Sequence, residues 1–461
     1  KSIKQAVESD DWDFITFQQA SGYSGIADTY NDLVELINIV EPLNPSARLV
    51  WHMTWAYSVE SQHPEFPNYD RNQQKMLKAF QFAGVSESHF AGSTGYGYDD
   101  RGRDVLDKVY AYVFDAEDAL VRHNFVSGTH TLSVALFGIL RPGDEMVCVT
   151  GTPYDTIQGT IGINSDYSGS LKDFGVKYSE VALKADGTVD LDAVKEAAKR
   201  QPKMIYIQRS RGYSVRDSLL CKDIKAICDA VREVSQSSVI MLDNCYGEFV
   251  ECDEPLANGV DIMAGSLIKN PGGGISPTGG YIAGRANLVE MCSYRLTTPG
   301  TGKEVGCTLS VLREMFMGAF HAPQVTGEAL KTAVFTAALF EQLGYEVSPR
   351  YNEDRGDIIE LVKLCNSENL IAFCKGIQKG SPVDSFVTPY PSDMPGYDSQ
   401  VIMAAGAFTL GSSIELSADA PLREPYAVWM QGGLNFNSSK VGILLAAQEV
   451  LDLNNKEKAL T

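Results

Sequence analysis

Short apolar runs of four to six residues alternate with amphipathic segments through the middle of the chain. Runs of this length, bounded by turn residues, predict buried strands, and the longer segments between them predict helices. The predicted strands cover residues 119–125, 146–149, 204–208, 239–243 and 262–267, and the predicted helices cover 103–115, 128–140, 191–199 and 221–234. This alternation predicts an α/β fold with a large, mostly parallel sheet that carries helices on both faces.

The two ends of the chain follow other patterns. Near the N-terminus, residues 13–18, 29–39 and 48–53 predict a single β-α-β unit. After about residue 300, a long helical pattern precedes shorter strand-like pieces and a last helix, at residues 303–343, 345–348, 358–363, 370–376, 414–417 and 440–453. We therefore expect an N-terminal segment over residues 1–74, a large domain over 75–300 and a smaller C-terminal α+β domain over 301–461.

Composition narrows the class of protein. With 59 acidic and 39 basic residues the net charge is −20, which argues against a nucleic acid or an anionic membrane as the main partner. No apolar run approaches the roughly 20 residues that a membrane-spanning helix needs. The nine cysteines are dispersed without a CxxC pair, and the six histidines lack metal-ligand spacing. We expect a cytoplasmic protein with reduced thiols and no metal site.

Several residues suited to one cofactor come where predicted strands end. Gly128 and Thr129 open a predicted helix, whose free N–H groups and partial positive charge suit a phosphate. Tyr154 follows the next strand and places an aromatic ring at the same edge of the sheet. Asp243 closes one strand, and Lys269 follows the next strand along the chain.

A lysine and a carboxylate on neighbouring strand ends have a joint use in pyridoxal-phosphate chemistry. The lysine forms a Schiff base, the carboxylate keeps the ring nitrogen protonated, an aromatic ring stacks on the cofactor, and a cradle holds the phosphate. Once the substrate amine has displaced it, Lys269 serves as a proton shuttle. Each group also has an ordinary structural explanation. The helix start can be a simple cap, Asp243 a turn residue, Lys269 a solvated charge and Tyr154 a packing residue. Their order and spacing favour the cofactor.

Longer motifs resemble one known family from about residue 75 to the C-terminus. They include GSTGYGYDDRGRD, VSGTHTLSVALFGILRPGDEM, GTPYDT, QRSRGYS, DNCYGEF, GSLIKNPGGGISPTGGYIAGR and ELSADAPLREPY. These motifs resemble the aluminium-resistance or methionine gamma-lyase-like proteins, which are fold-type I pyridoxal-phosphate enzymes. The resemblance implies a transferase-like α/β fold and a homodimer or homotetramer whose active sites are shared across the dimer interface.

The resemblance also implies roles for individual residues. Lys269 would be the Schiff-base lysine, Asp243 the pyridinium partner, and Tyr246 a neighbour of the cofactor's phenolic oxygen. The other implied roles are stacking by Tyr154, phosphate binding by Gly128, Thr129 and Ser266, contact with a neighbouring subunit's phosphate by Tyr98 with Arg101 or Arg103, and capture of the substrate α-carboxylate by Arg423. A planar guanidinium with two prongs suits the last task.

Residues 1–74 do not follow this family and resemble an incomplete piece of an SGNH-type hydrolase. Such hydrolases need an early nucleophilic serine block and a late Asp-x-x-His pair, and neither pattern is present. Ser21 and Ser24 fit loop residues better than nucleophiles. We therefore do not expect ester hydrolysis from this segment.

The predicted function is a pyridoxal-phosphate-dependent lyase that performs β- or γ-elimination on a sulfur amino acid such as cystathionine, methionine or cysteine. Two alternatives use the same cofactor: transamination or racemisation through the same carbanion, and a cofactor-binding protein without turnover. The sequence chooses neither the leaving group nor the carbon from which it departs, and it does not explain a link to metal tolerance.

Overall fold

The computed structural model describes residues 14–18, 31–45, 48–52, 67–163, 168–393 and 399–460. The chain divides into two compact units, Lys1–Gln74 and Lys75–Thr461. In the first unit two strands pair in parallel along their whole length, with a helix between them in the chain. These elements are β1 Phe14–Gln18, α1 Asn31–Val40 and β2 Arg48–His52. They agree with the predicted β-α-β pattern, whereas Ser21 and Ser24 lie outside the described residues.

A seven-stranded sheet forms the centre of the second unit. Its strands are β3 Asp118–Arg122, β4 Glu145–Cys148, β5 Lys177–Glu180, β6 Met204–Gln208, β7 Val239–Asp243, β8 Ile262–Ser266 and β9 Gly280–Gly284. The order across the sheet is β3-β9-β8-β7-β6-β4-β5, and only the pairings of β9 are antiparallel. The mostly parallel sheet predicted from the apolar runs is confirmed.

Helices cover both faces of this sheet. They are α2 Pro67–Phe82, α3 Arg101–Val113, α4 Gly128–Ile139, α5 Asp155–Ile161, α6 Leu191–Ala198, α7 Cys221–Arg232 and α8 Ala286–Leu296. Alternate side chains of β6 enter opposite cores: Ile205 packs with residues of α3, α6 and α7, and Tyr206 packs with residues of α4, α5 and α8. Because both faces are buried, the strand reads as a continuous apolar run in the sequence.

A smaller antiparallel sheet follows in the chain. Its strands are β10 Glu346–Ser348, β11 Ile359–Lys363, β12 Val401–Ala404, β13 Ser417–Pro421 and β14 Ala427–Gln431, in the order β10-β11-β14-β13-β12. The helices of this part are α9 Leu312–Gln342, α10 Ser367–Lys379 and α11 Phe436–Leu460. Buried side chains from these helices, such as Phe340, Phe373 and Ile443, form one core with the sheet. None of the described helices is long and apolar enough to cross a membrane.

One predicted strand, residues 370–376, is wrong, because this stretch lies inside α10. Leu370, Phe373 and Ile377 are buried at helical spacing, and Asn366 caps the helix by accepting a hydrogen bond from the Asn369 N–H at 2.8 Å. The apolar run is short enough to fit a strand as well, and the cap and the spacing of its buried side chains decide in favour of the helix.

Other elements begin at residues that differ from the predicted ones. The strand predicted at residues 414–417 begins only at Ser417, because the Ile414 N–H donates to Ile268 O, at 3.0 Å, instead of joining a strand. The helix predicted over residues 303–343 begins at Leu312. Strands β5, β9, β12 and β14 were not predicted. In β9, Gly280–Gly284, two glycines and one alanine weaken the strand signal.

Candidate active site

The parallel neighbours β7 and β8 place Asp243 and Lys269 at one edge of the large sheet. Asp243 is the last residue of β7, and Lys269 follows the end of β8 in a turn whose Lys269 N–H donates to Ser266 O at 3.2 Å. Lys269 Nζ lies 3.9 Å from the centre of the Tyr246 ring and donates a 2.7 Å hydrogen bond to Ser412 O. The sequence-predicted lysine, carboxylate and tyrosine are therefore brought together.

Both ionisable groups of this pair have displaced pKa values. Burial opposes the charged ammonium, whereas Tyr246, Cys245 and Asp243 favour it, and the pKa of Lys269 is raised on balance. Burial likewise raises the pKa of Asp243, although the Cys245 N–H donates to Asp243 Oδ1 at 3.1 Å and Lys269 attracts the carboxylate. A second cation placed beside Asp243 would favour its ionised form.

Tyr246 joins the lysine turn to the smaller sheet. Its backbone has a φ of +70°, a left-handed conformation that is uncommon for a tyrosine. Gln431 Nε2, at the end of β14, donates to Tyr246 Oη at 2.7 Å, and Asn270 Nδ2 donates to Tyr246 O at 2.9 Å. These bonds hold the ring against Lys269.

The start of α4 lies close to the end of β8. Ser127 caps the helix by accepting from the His130 N–H at 3.0 Å. A Cβ atom on Gly128 would lie 3.3 Å from Ser266 Cβ and 3.5 Å from Cys245 Sγ. The Thr129 and Thr156 hydroxyls are 2.7 Å apart, so the first turns of α4 and α5 meet at this edge.

These residues fit pyridoxal phosphate. Ser266 Oγ is buried and has no hydrogen-bond partner in the described part of the chain, which suits an acceptor oxygen supplied from outside. Gly128 leaves open the space that a side chain would narrow, and the N–H groups at the start of α4 favour an anion. The phosphate cradle, Asp243 and Lys269 thus lie along one edge of the sheet.

Tyr154 lines a cavity of about 300 Å³ at the ends of β4 and β6, next to this cluster. Its N–H donates to Gln208 Oε1 at 2.6 Å, and its ring centre lies 5.8 Å from that of Tyr213. Arg423, in the turn between β13 and β14, is exposed and lines the same cavity. The structure therefore brings Arg423 to Tyr154, whereas Lys269 is absent from the residues that line this cavity.

The other arginines near the cavity support the loop that follows β6. Arg209 is buried and donates to Asn244 Oδ1 at 2.9 Å, to Gly247 O at 2.8 Å and to Glu251 Oε2 at 2.7 Å. Arg216 donates to Gln208 O at 2.8 Å and to Ser210 O at 2.7 Å, and burial lowers its pKa to about 10. These guanidinium groups are occupied by the protein itself.

Tyr98 lies in the loop that leads into α3. Its side chain is 63% exposed and stacks on Tyr96, with ring centres 5.6 Å apart. Arg103 is buried and donates to Gly97 O at 2.8 Å and to Gly306 O at 3.1 Å, so it holds the loop, whereas Arg101 is exposed. Contact of Tyr98 and Arg101 with a second subunit stays a prediction.

Sequence reasoning missed residues that the small sheet contributes. Asp419 on β13 is buried and accepts a hydrogen bond from Tyr213 Oη at 3.1 Å. The positive charge of Lys269 favours its ionised form. Gln431 and the carbonyl of Ser412 also come from this part of the chain. A signal existed for Asp419, because an acid between two alanines in a strand interrupts a buried pattern.

Comparison with known proteins identifies two sequence families. Residues 56–451 match the family described as methionine gamma-lyase, and residues 1–87 match a domain of unknown function, DUF4886. The expectation that residues 1–74 lie outside the first family is therefore wrong for residues 56–74. The second match gives no support to the SGNH-type resemblance, which stays a prediction. The uncharacterized protein YnbB of Bacillus subtilis strain 168 is 50% identical over 383 residues, covering 83% of this chain and 91% of that protein.

Solved structures share the fold. A protein of Clostridium novyi NT, named as a carbon-sulfur lyase involved in aluminium resistance, is 51% identical with a TM-score of 0.80, covering 83% of this chain and 91% of that one. The pyridoxal-5'-phosphate-dependent protein YhfS of Escherichia coli is only 16% identical, with a TM-score of 0.57 over 83% of this chain and 96% of that one. This agreement confirms the predicted fold-type I architecture.

Proposed function

Because the chain belongs to the methionine gamma-lyase family over residues 56–451, we propose that it is a pyridoxal-phosphate-dependent carbon–sulfur lyase acting on a sulfur amino acid. The observation that carries the proposal is the meeting of Lys269, Asp243 and Tyr246 at the ends of two neighbouring parallel strands. The name of the Clostridium novyi relative adds support for carbon–sulfur chemistry.

Each end of the proposed cofactor has residues to hold it. Lys269 would hold the aldehyde carbon, Asp243 the ring nitrogen, and Tyr154 the face of the ring. Gly128, Thr129 and the buried hydroxyl of Ser266 would bind the phosphate. When bound, the cofactor supplies an electron sink that makes the proton on the substrate Cα acidic.

The chain's own groups then position the substrate and move protons. Lys269 Nζ, held near Tyr246, accepts the proton from the substrate Cα. Arg423 binds the α-carboxylate with its exposed guanidinium, which explains its place in the cavity beside Tyr154. Ser412, from the side of the small sheet, accepts a hydrogen bond from Lys269 Nζ through its carbonyl oxygen and so helps to orient this amine.

Assembly is part of the proposal. We expect a homodimer or homotetramer in which the exposed Tyr98 reaches the phosphate end of the neighbouring subunit's site. Sedimentation of the protein loaded with cofactor measures the assembly, and Tyr98→Phe tests the contact. An active monomer would contradict this part of the proposal and leave the chemistry intact.

Product analysis tests the function. The purified protein is loaded with pyridoxal phosphate and incubated with L-cystathionine, S-methyl-L-cysteine or L-methionine. β-Elimination of cystathionine gives homocysteine, pyruvate and ammonia, whereas γ-elimination gives cysteine, 2-oxobutyrate and ammonia. Thiol, ammonia and 2-oxo acid in equal amounts support a lyase. A 2-oxo acid without thiol, with conversion of the cofactor to its amine form, would indicate transamination, and the enantiomer alone would indicate racemisation.

A further inference from the structure

Asp419 lies in β13 of the small sheet, and the residues beside it on the two adjacent strands are apolar. Ala418 and Ala420 belong to the core that packs on α10 and α11. Because side chains alternate along a strand, Asp419 points to the opposite face. On that face it stands between Met403 of β12 and Trp429 of β14, its partners in register.

Within the described part of the chain, only one oxygen of this carboxyl group has a hydrogen-bond partner. Asp419 is 3% exposed, and Tyr213 Oη donates to its Oδ2 at 3.1 Å. Its Oδ1 is buried and has no hydrogen-bond partner in the described part of the chain. An unsatisfied buried acceptor is destabilising, so such a group in a native structure calls for an explanation.

The surroundings of Asp419 connect it with both parts of the site. Lys269 and Tyr246 face it from the large sheet and Tyr213 from the loop after β6, whereas Cys374 of α10 lies in the core on the other face of the strand. The Tyr213 ring lies 5.8 Å from Tyr154 and 5.4 Å from Trp429, centre to centre. Asp419 is therefore linked to the lysine by charge, and through Tyr213 to the cavity that Arg423 lines.

The raised pKa of Asp419 suits a group that donates a proton during catalysis. Burial raises the pKa of Asp419 to about 6, against the hydrogen bond from Tyr213 and the charge of Lys269. A carboxyl group tuned to this range can give up a proton near neutral pH and recover it. Carbon–sulfur cleavage needs such a donor, because an alkanethiolate is basic and is costly to leave charged inside a protein.

We propose that Asp419, held by Tyr213, donates the proton that the departing sulfur takes up, and this inference rests on the proposed elimination. The carbon–sulfur bond breaks, the sulfur keeps the electron pair, and it receives the Asp419 proton to leave as a neutral thiol. Asp419 becomes a carboxylate and regains a proton from water. Lys269 then removes the proton from Cα and Asp419 protonates the sulfur, so each proton transfer has its own group.

The test compares leaving groups of different acidity. Asp419→Asn keeps the shape and the acceptor for Tyr213 but removes the acidic proton. With S-methyl-L-cysteine, whose alkanethiol needs a proton, we expect kcat to fall roughly 100-fold or more, and with S-(4-nitrophenyl)-L-cysteine, whose thiolate leaves unaided, less than about fivefold. Bound cofactor, measured by visible absorption, should equal that of the wild type.

Ser417→Ala is the matched control, because Ser417 lies two residues away on the same strand and its buried hydroxyl likewise has no partner among the described residues. Any effect of this control variant on kcat should be the same for both substrates. If Asp419→Asn lowered kcat equally for both substrates, the inference would be overturned, whereas the proposed lyase function would stand. A wild-type protein that releases thiol from neither substrate would overturn the proposed function as well.

A second measurement needs no variant. In the wild-type protein, a series of S-aryl and S-alkyl cysteines should show kcat nearly independent of thiol acidity, because the proton is supplied to every leaving group. A steep rise of kcat with thiol acidity would mean that the sulfur leaves unprotonated, and it would overturn the role of Asp419 even if Asp419→Asn failed to fold.

Discussion

Lys269 Nζ donates a 2.7 Å hydrogen bond to the carbonyl oxygen of Ser412, 143 residues later in the chain. The bond joins the turn after β8 to the segment that leads into β13. The amine that would carry the cofactor is therefore held by both sheets, and its position depends on how the two sheets pack. Binding of the aldehyde has to replace this contact.

The first prediction concerns this amine. Lys269→Ala should abolish the visible absorption of protein-bound pyridoxal phosphate, because it removes the amine that lies 3.9 Å from the centre of the Tyr246 ring. Absorption spectra after incubation with the cofactor and gel filtration measure this, and mass spectrometry after borohydride reduction locates the adduct. Lys225→Ala, at an exposed ion pair with Asp229, is the control and should keep the absorption. An adduct on another lysine would refute the assignment.

Ser266 should show opposite effects in the two forms of the protein. Its hydroxyl is buried and has no partner among the described residues, so Ser266→Ala should leave the cofactor-free protein at least as stable as the wild type in thermal unfolding. Loss of a hydrogen bond to a charged phosphate should weaken cofactor binding roughly tenfold or more in equilibrium titration. A variant with unchanged cofactor affinity would exclude Ser266 from the phosphate site.

Arg423 should act on the carboxylate of the substrate. Arg423→Ala should weaken binding of unreactive amino-acid analogues roughly tenfold to 100-fold, because a charge-assisted contact is lost. Binding of a matching amine without the carboxylate should stay unchanged. Arg350→Ala, at an exposed pair with Glu341, is the control. Equal weakening of both ligands would argue for a packing role of Arg423 instead.

A buried acidic group behind the site should make stability depend on pH. Burial raises the pKa of Glu248 to about 8 and that of Glu254 to about 7. The folded state therefore holds protons that the unfolded chain releases above its ordinary pKa. These groups stabilise the fold below about pH 4.5, and the free energy of unfolding should fall as pH rises towards 8.

Glu248→Gln should flatten this fall, since glutamine stays neutral. Compared with the wild type, the variant should be relatively more stable at pH 8.5 than at pH 5, in chemical denaturation of the cofactor-free protein. Glu233→Gln, at an exposed pair with Lys195, should leave the pH profile unchanged. The same pH profile for Glu248→Gln and the wild type would show that Glu248 does not carry the effect.

Part of the site could be predicted because it follows strand ends. Asp243 and Lys269 come directly after apolar runs, and parallel strands bring such positions to one edge of a sheet. Asp419 could not be assigned in this way, because it lies inside β13 and not at its end. Its relation to Lys269 depends on the face that the smaller sheet turns towards the larger one.

The sequence by itself determined five of the seven strands of the large sheet, four of its helices and the order of its chemical groups, since these depend on local apolar patterns and on residues close in the chain. Only the tertiary structure decided that Ser412, Asp419 and Gln431 meet Lys269 and Tyr246. Contacts between two separate sheets arise from the packing of whole faces, and residues more than a hundred positions apart leave no periodic signal of such a contact in a single chain.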